Sequence, residues 1–270
     1  MHSEPFYVLV HLALAALYLL LAWWSWSALA PGRSIAPRER FGLALAIVDH
    51  GALIGSDMFG TAELRFGFGY AISATLWLAV MIVWLQGFLA PVRGLLLVVL
   101  PLAAFGVMLP VLFPGAAIAA ARNSPALRLH LLVAMVAYSL FVIALLHATL
   151  MALVERRLHQ KGSFFAGLPP LLTLEQLLFR VIGAAFVFLT LTLVTGIFFS
   201  ETLFGQALRA DHKTVFAVLS WGTFGLLLAG RLLYGWRGRT ALRWTLSGFV
   251  MLLFAYVGSR FVLEVLLHRA

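Results

Sequence analysis

From Pro5 onward the chain alternates between long apolar stretches and brief polar breaks. Eight stretches reach the roughly 20 residues that a helix needs to cross the hydrocarbon of a bilayer. They run over roughly 5–30, 41–61, 66–89, 93–114, 127–155, 177–200, 213–235 and 243–267, interrupted only by scattered polar residues such as Tyr7, His11, Asp49, His50 and Asp57. No connection is long or polar enough to form a separate soluble domain. The pattern predicts an all-α fold, with residues 1–270 as one polytopic transmembrane bundle of eight spans. The first run follows no basic residue and is too long for the apolar core of a cleaved leader, so it reads as a retained helix.

Composition sharpens this picture. Of 270 residues, 63% are hydrophobic and 11% charged, whereas a soluble domain carries about a quarter charged residues. So much apolar surface requires lipid as its solvent. The chain has no cysteine, which excludes a disulfide, a Cys-X-X-Cys redox pair and a thioether attachment of its own.

The net charge of +9 is mainly topological. With the N-terminus outside, the inner loops receive Arg33, Arg38, Arg40, Arg93, Arg156, Arg157, Lys161, Arg180, Arg231, Arg237, Arg239 and Arg243, twelve of the 19 Lys and Arg. The positive-inside bias therefore places both termini on the outer, periplasmic side. The basic residues suit anionic lipid, and no basic stripe on a soluble face marks a nucleic-acid partner. Trp23, Trp24, Trp26, Trp236 and Trp244 flank inner loops, where indoles anchor helices.

Depth then gives the histidines meaning. His130 opens the fifth span and His212 the seventh, both at the outer boundary, and His268 closes the eighth on the same side. His50 lies near the middle of span two, among Gly51 and Gly55, whose small-residue spacing suits close helix packing and also leaves room for a flat ring. Imidazole is a preferred axial ligand of haem iron, and two histidines from different helices at one depth would take iron from both faces of a porphyrin. An interfacial histidine is also simply well solvated there, and both readings stand. Hydrolytic motifs are missing: there is no H-E-x-x-H, no G-x-S-x-G and no P-loop, so the protein is not expected to be an enzyme. Asp49, Asp57 and Glu63 stay in span two and its outer loop and draw no acidic line through the bilayer, which makes a small transporter the weaker reading. The threonines of TLTLVTG, Thr190 to Gly196, are expected to bond back to helix carbonyls.

The stretch from Leu127, LRLHLLVAMVAYSLFVIALLHATLMALVERRL, resembles the cytochrome c assembly family of integral membrane proteins. The resemblance continues through LEQLLFRVIGAAFVFLTLTLVTGIFF, DHKTVFAVLSW, YGWRGRTALRW and AYVGSRFVLEVLLH, covering about 127–268. Asp211, Lys213 and Trp221 keep the spacing of the family's Asp-Pro-Lys-Glu-Thr-Trp run, with His212 in place of the proline. The tryptophan-rich loop of the synthetase members is missing, and the chain looks most like the shorter HemX-like or YpjD-like inner-membrane branch. What the resemblance implies is non-covalent, b-type haem binding linked to cytochrome c assembly in a bacterial inner membrane, without synthetase activity. His130 matches the family's outer-face histidine, and His268 is a looser match to the one after the loop. The expected axial pair is His130 with His212, with His268 the rival for second place and His50 a deeper site. Asp211 would orient an imidazole or cap a helix, and Lys213 and Arg209 would pair with propionates. The alternative is a regulatory or scaffold subunit whose inner loops bind a membrane or cytoplasmic protein such as a haem-synthesis enzyme or a metal-ion exporter.

Overall fold

The computed structural model describes residues 5–27, 35–59, 64–89, 93–114, 116–118, 125–158, 171–204 and 212–255. Its helices are α1 (Pro5–Ser27), α2 (Pro37–Phe59), α3 (Phe68–Gln86), α4 (Arg93–Leu112), α5 (Pro125–Leu158), α6 (Leu171–Phe204), α7 (His212–Tyr234) and α8 (Gly238–Leu253). Seven of them, α1 to α7, are long and apolar enough to cross a membrane. The eighth departs from the expected 243–267: α8 opens earlier, at Gly238, and has 16 described residues, with 256–270 outside the described part. The sequence pattern also missed a small antiparallel ribbon of β1 (Leu64–Phe66) and β2 (Ala116–Ile118), which sets Leu64 opposite Ile118 and Phe66 opposite Ala116. Where the chain leaves a helix its backbone groups lose their partners four residues back, and pairing two connections restores them.

The helices fall into two compact units. In the first, α1 and α3 each pack on both α2 and α4, closing a four-helix ring with the ribbon at one end. Between apolar helices in lipid, close approach and hydrogen bonds replace the hydrophobic effect as the source of association. Gly69 lets α3 touch the end of α4, since a Cβ there would lie 2.6 Å from the carbonyl oxygen of Phe113. A polar seam joins α1 to α2. Its α1 members His11, Tyr18 and Ser25 recur at heptad spacing, and they face Asp57, His50 and Glu39 on the antiparallel α2. At one end of the seam Ser25 Oγ donates to Glu39 Oε1 (2.6 Å), while Arg93 Nη2 from the start of α4 donates to Oε2 (2.8 Å). Glu39 and Arg93 are 1% and 4% exposed, so each neutralises a charge that water cannot reach.

The second unit repeats the ring with α5 and α7 each packed on α6 and α8. Phe141 of α5 stacks on Phe224 of α7, centroids 4.0 Å apart, and Gly248 of α8 gives the Phe224 ring its space. Ser220 Oγ donates to the Gly248 carbonyl (2.9 Å), locking α7 to α8. Gly235 and Gly238, at φ of 67° and 55°, make the tight turn between these helices, a backbone region that costs L-residues energy. That turn folds Trp236 onto Gly230 and stacks it against Trp244 at 5.2 Å. Carboxylates of the neighbouring helices meet its arginines: Glu175 pairs with Arg231 at 2.6 Å, and Glu155 with Arg239 at 3.6 Å.

Breaking a buried ion pair by removing one partner costs roughly 3–5 kcal/mol, whereas replacing both by apolar groups is often neutral. Glu39→Ala is therefore expected to lower the unfolding midpoint of the detergent-solubilised protein sharply, and Glu39→Leu with Arg93→Leu to recover most of that loss. Thermal melts followed by tryptophan fluorescence check this; equal losses in the two variants contradict it.

Candidate functional site

His130 lies in the second turn of α5, half-buried. Its Nδ1 is 2.7 Å from Thr195 Oγ1 on α6. The threonine hydroxyl has one proton, and its shortest acceptor is the carbonyl of Leu191, four residues back at 2.7 Å. With that proton on Leu191, Thr195 accepts from His130 and the imidazole carries its proton on Nδ1 and its lone pair on Nε2; with the proton turned to Nδ1, which is equally close, the tautomer reverses. A histidine whose Nδ1–H is fixed by a neighbouring oxygen is oriented for its other nitrogen to bind a metal. Gly196 sits against the same ring, and a Cβ there would lie 3.5 Å from Cε1. Leu129 of α5 and Val194 and Phe198 of α6, near this pair in the sequence, are exposed apolar side chains.

The back-bonding expected of the threonine run is present: Thr190 donates to Phe186 O and Thr192 to Phe188 O, both at 2.8 Å. Thr190 also accepts from Trp221 Nε1 at 2.9 Å, and this fixes the register of α7 on α6. The same register sets His212, the exposed first residue of α7, at the end of the unit that holds His130. It stands about four residues, or about 6 Å, beyond the level of Thr195. Lys213 follows it, half-buried. Arg209, Asp211 and His268 lie outside the described residues. Thr195 was not singled out from the sequence; its spacing from Leu191 showed only the internal bond.

His50 belongs to the first unit and is 1% exposed. Both ring nitrogens have hydroxyl partners, Tyr18 at 3.1 Å on Nδ1 and Ser73 at 3.0 Å on Nε2. The space expected beside Gly51 is filled by the Trp77 indole, 2.8 Å from where a Cβ would stand. Any ligand reaching His50 would have to displace one of these groups. A second polar cluster lies further along the seam: Tyr7 donates to Asp57 Oδ2 (2.7 Å), and His11 Nε2 is 3.6 Å from the same oxygen. His147 of α5 is fully buried, donates from Nδ1 to Ile143 O (2.9 Å) and leaves Nε2 without a hydrogen-bond partner among the described residues.

Residues 44–267, spanning both units, match the family model described as cytochrome C assembly protein. The chain belongs to that family. It is 32% identical over 177 residues to the inner membrane protein YpjD of Escherichia coli K12, covering 64% of this chain and 66% of that protein. It is 36% identical over 143 residues to an uncharacterized 28.8 kDa protein of Azospirillum brasilense, covering 52% of each. The cytochrome c biogenesis protein CcsA of Chlamydomonas reinhardtii is 28% identical over 144 residues, 53% of this chain and 40% of that one. No solved structure matches. Within this cytochrome c assembly protein, α6 and α7 are joined by residues 205–211, a segment without tryptophan.

Thr195→Val keeps the side-chain shape and removes the acceptor. In the variant the His130 ring is expected to lose its fixed Nδ1–H tautomer, whereas Thr190→Val leaves it intact. Nitrogen-15 spectra of histidine-labelled protein in detergent read the tautomer directly, and an unchanged His130 signal in Thr195→Val contradicts the assignment.

Proposed function

We propose that the protein binds haem non-covalently at the outer face of a bacterial inner membrane, and receives, holds or relays it for cytochrome c assembly. Family membership supports the haem-linked role, and the similarity to YpjD supports the inner-membrane location of a multi-pass chain. The observation that carries the reading is the 2.7 Å His130–Thr195 bond, which holds the imidazole to α6; with the Thr195 proton on Leu191 the lone pair stays on Nε2. Exposed apolar side chains next to this pair in the sequence, Leu129, Val194 and Phe198, suit a flat apolar macrocycle.

In this reading His130 is one axial ligand and His212 the other, with His268 as the alternative second ligand and His50 as a deeper contact. Lys213 and Arg209 neutralise the propionates, and Asp211 orients an imidazole or caps α7. Bound haem would supply a redox-active iron, which His130 and His212 would hold; the protein performs no bond-making step. Synthetase activity is not part of the proposal, because the segment between α6 and α7 is too short and too poor in tryptophan to present haem outside the membrane. In this reading both chain ends lie on the outer side, in keeping with the bias of Lys and Arg.

Protein purified in detergent from haem-replete cells is expected to show the Soret band of a six-coordinate, low-spin haem. His130→Ala abolishes that band and His212→Ala shifts it to a five-coordinate form. Thr195→Val weakens haem affinity about 10–100-fold, the usual cost of losing a group that orients a ligand. A band that survives His130→Ala overturns the ligand assignment. A chain that never shows a haem-dependent band leaves the scaffold role in its place.

A further inference from the structure

Asp49 differs from the other acidic side chains that the structure describes. Glu39 meets Arg93 and Ser25, Asp57 meets Tyr7 and His11, Glu175 meets Arg231, and Glu155 meets Arg239. Asp49 is exposed and has no hydrogen bond or ion pair among the described residues. Its depth makes this costly. In the apolar segment Pro37–Met58 it stands near the middle. An ionisable side chain there is paired or functional by default.

The face around it is shaped for a helix. Phe41, Leu45, Val48, Asp49, Ala52 and Ser56 are all exposed and recur at helical spacing along α2. A Cβ on nearby Gly55 would meet nothing within 4 Å. Small residues on one side of an aspartate allow a second backbone to come close enough for its side chains to reach the carboxylate. The exposed arginines among the described residues, Arg38, Arg128, Arg180, Arg237, Arg239 and Arg243, all lie at helix ends or within three turns of one. A second copy therefore has no described cation at the depth of Asp49, and a symmetric pairing through α2 would set one carboxylate against another.

We propose that this face of α2 docks a transmembrane helix of a partner protein that carries a lysine or arginine at mid-membrane, with Asp49 as its counter-charge. The assignment is independent of haem binding, since it involves none of the proposed ligands.

Reconstitution with defined helices tests it. The chain has no cysteine, so Leu89→Cys, on the exposed turn that follows α3, gives a single fluorophore site. The labelled full chain is placed in liposomes with acceptor-labelled leucine–alanine transmembrane peptides, one with a central lysine and one with a central leucine. Energy transfer is expected to report about tenfold tighter association with the lysine peptide, the scale of polar helix–helix contacts in lipid. Asp49→Leu and Asp49→Asn erase the preference, Asp49→Glu keeps it, and Asp49→Lys transfers it to a peptide with a central aspartate. Equal binding of the lysine and leucine peptides overturns the proposal, as does a preference that persists in both Asp49→Leu and Asp49→Asn. Energy transfer between two labelled copies that is lost in Asp49→Leu also overturns it, because the occupant is then a second copy.

Discussion

Hydrocarbon offers no hydrogen-bond partners, so a polar side chain that enters it must be met by another polar group from the protein. That constraint explains where the polar residues of this chain stand and what they do. In the first unit it produces the seam between α1 and α2, with its Ser25–Glu39–Arg93, Tyr18–His50–Ser73 and Tyr7–Asp57–His11 contacts. In the second it sends threonine hydroxyls to their own helix carbonyls and leaves their oxygens to accept from His130 and Trp221.

The His130–Thr195 contact shows how the constraint becomes chemistry. When the hydroxyl proton goes to Leu191, the direction of the next bond follows, and with it the protonation pattern of the ring. A packing interaction inside α6 thereby sets the donor character of a histidine on α5. His50 illustrates the opposite arrangement, since hydroxyls take both of its nitrogens and the indole of Trp77 takes the room beside it. The same residue type thus serves as an oriented donor in one unit and as a packing hub in the other.

Much of this was legible in the sequence because the membrane imposes a length rule and a charge rule. Seven spans, the threonine back-bonds and the placement of His130 near a helix start follow from run length and from helical spacing. The partners did not follow. Nothing in the order of residues sets Thr195 opposite His130 across 65 positions, or Arg93 opposite Glu39 across 54, because the register between helices depends on how their surfaces interlock. Gly51 and Gly55 were read as room for a flat ring, yet Gly51 is covered by Trp77 and Gly55 is open. Small residues declare that something comes close without saying what. The ribbon of β1 and β2 was invisible because each strand has three residues, too few for an alternating pattern to emerge.

The lengths of α5 and α6 have a consequence of their own. At 34 residues each, these helices extend about 51 Å at 1.5 Å per residue, against a hydrocarbon layer about 30 Å thick. Leaning alone would need more than about 50°, beyond the tilts of roughly 0–40° seen for membrane helices. Part of this antiparallel pair must therefore stand clear of the hydrocarbon, among headgroups and water. Glu155 and Glu175, near the joined ends of the pair, hold arginines there, so these ion pairs mark where the helices leave the oil.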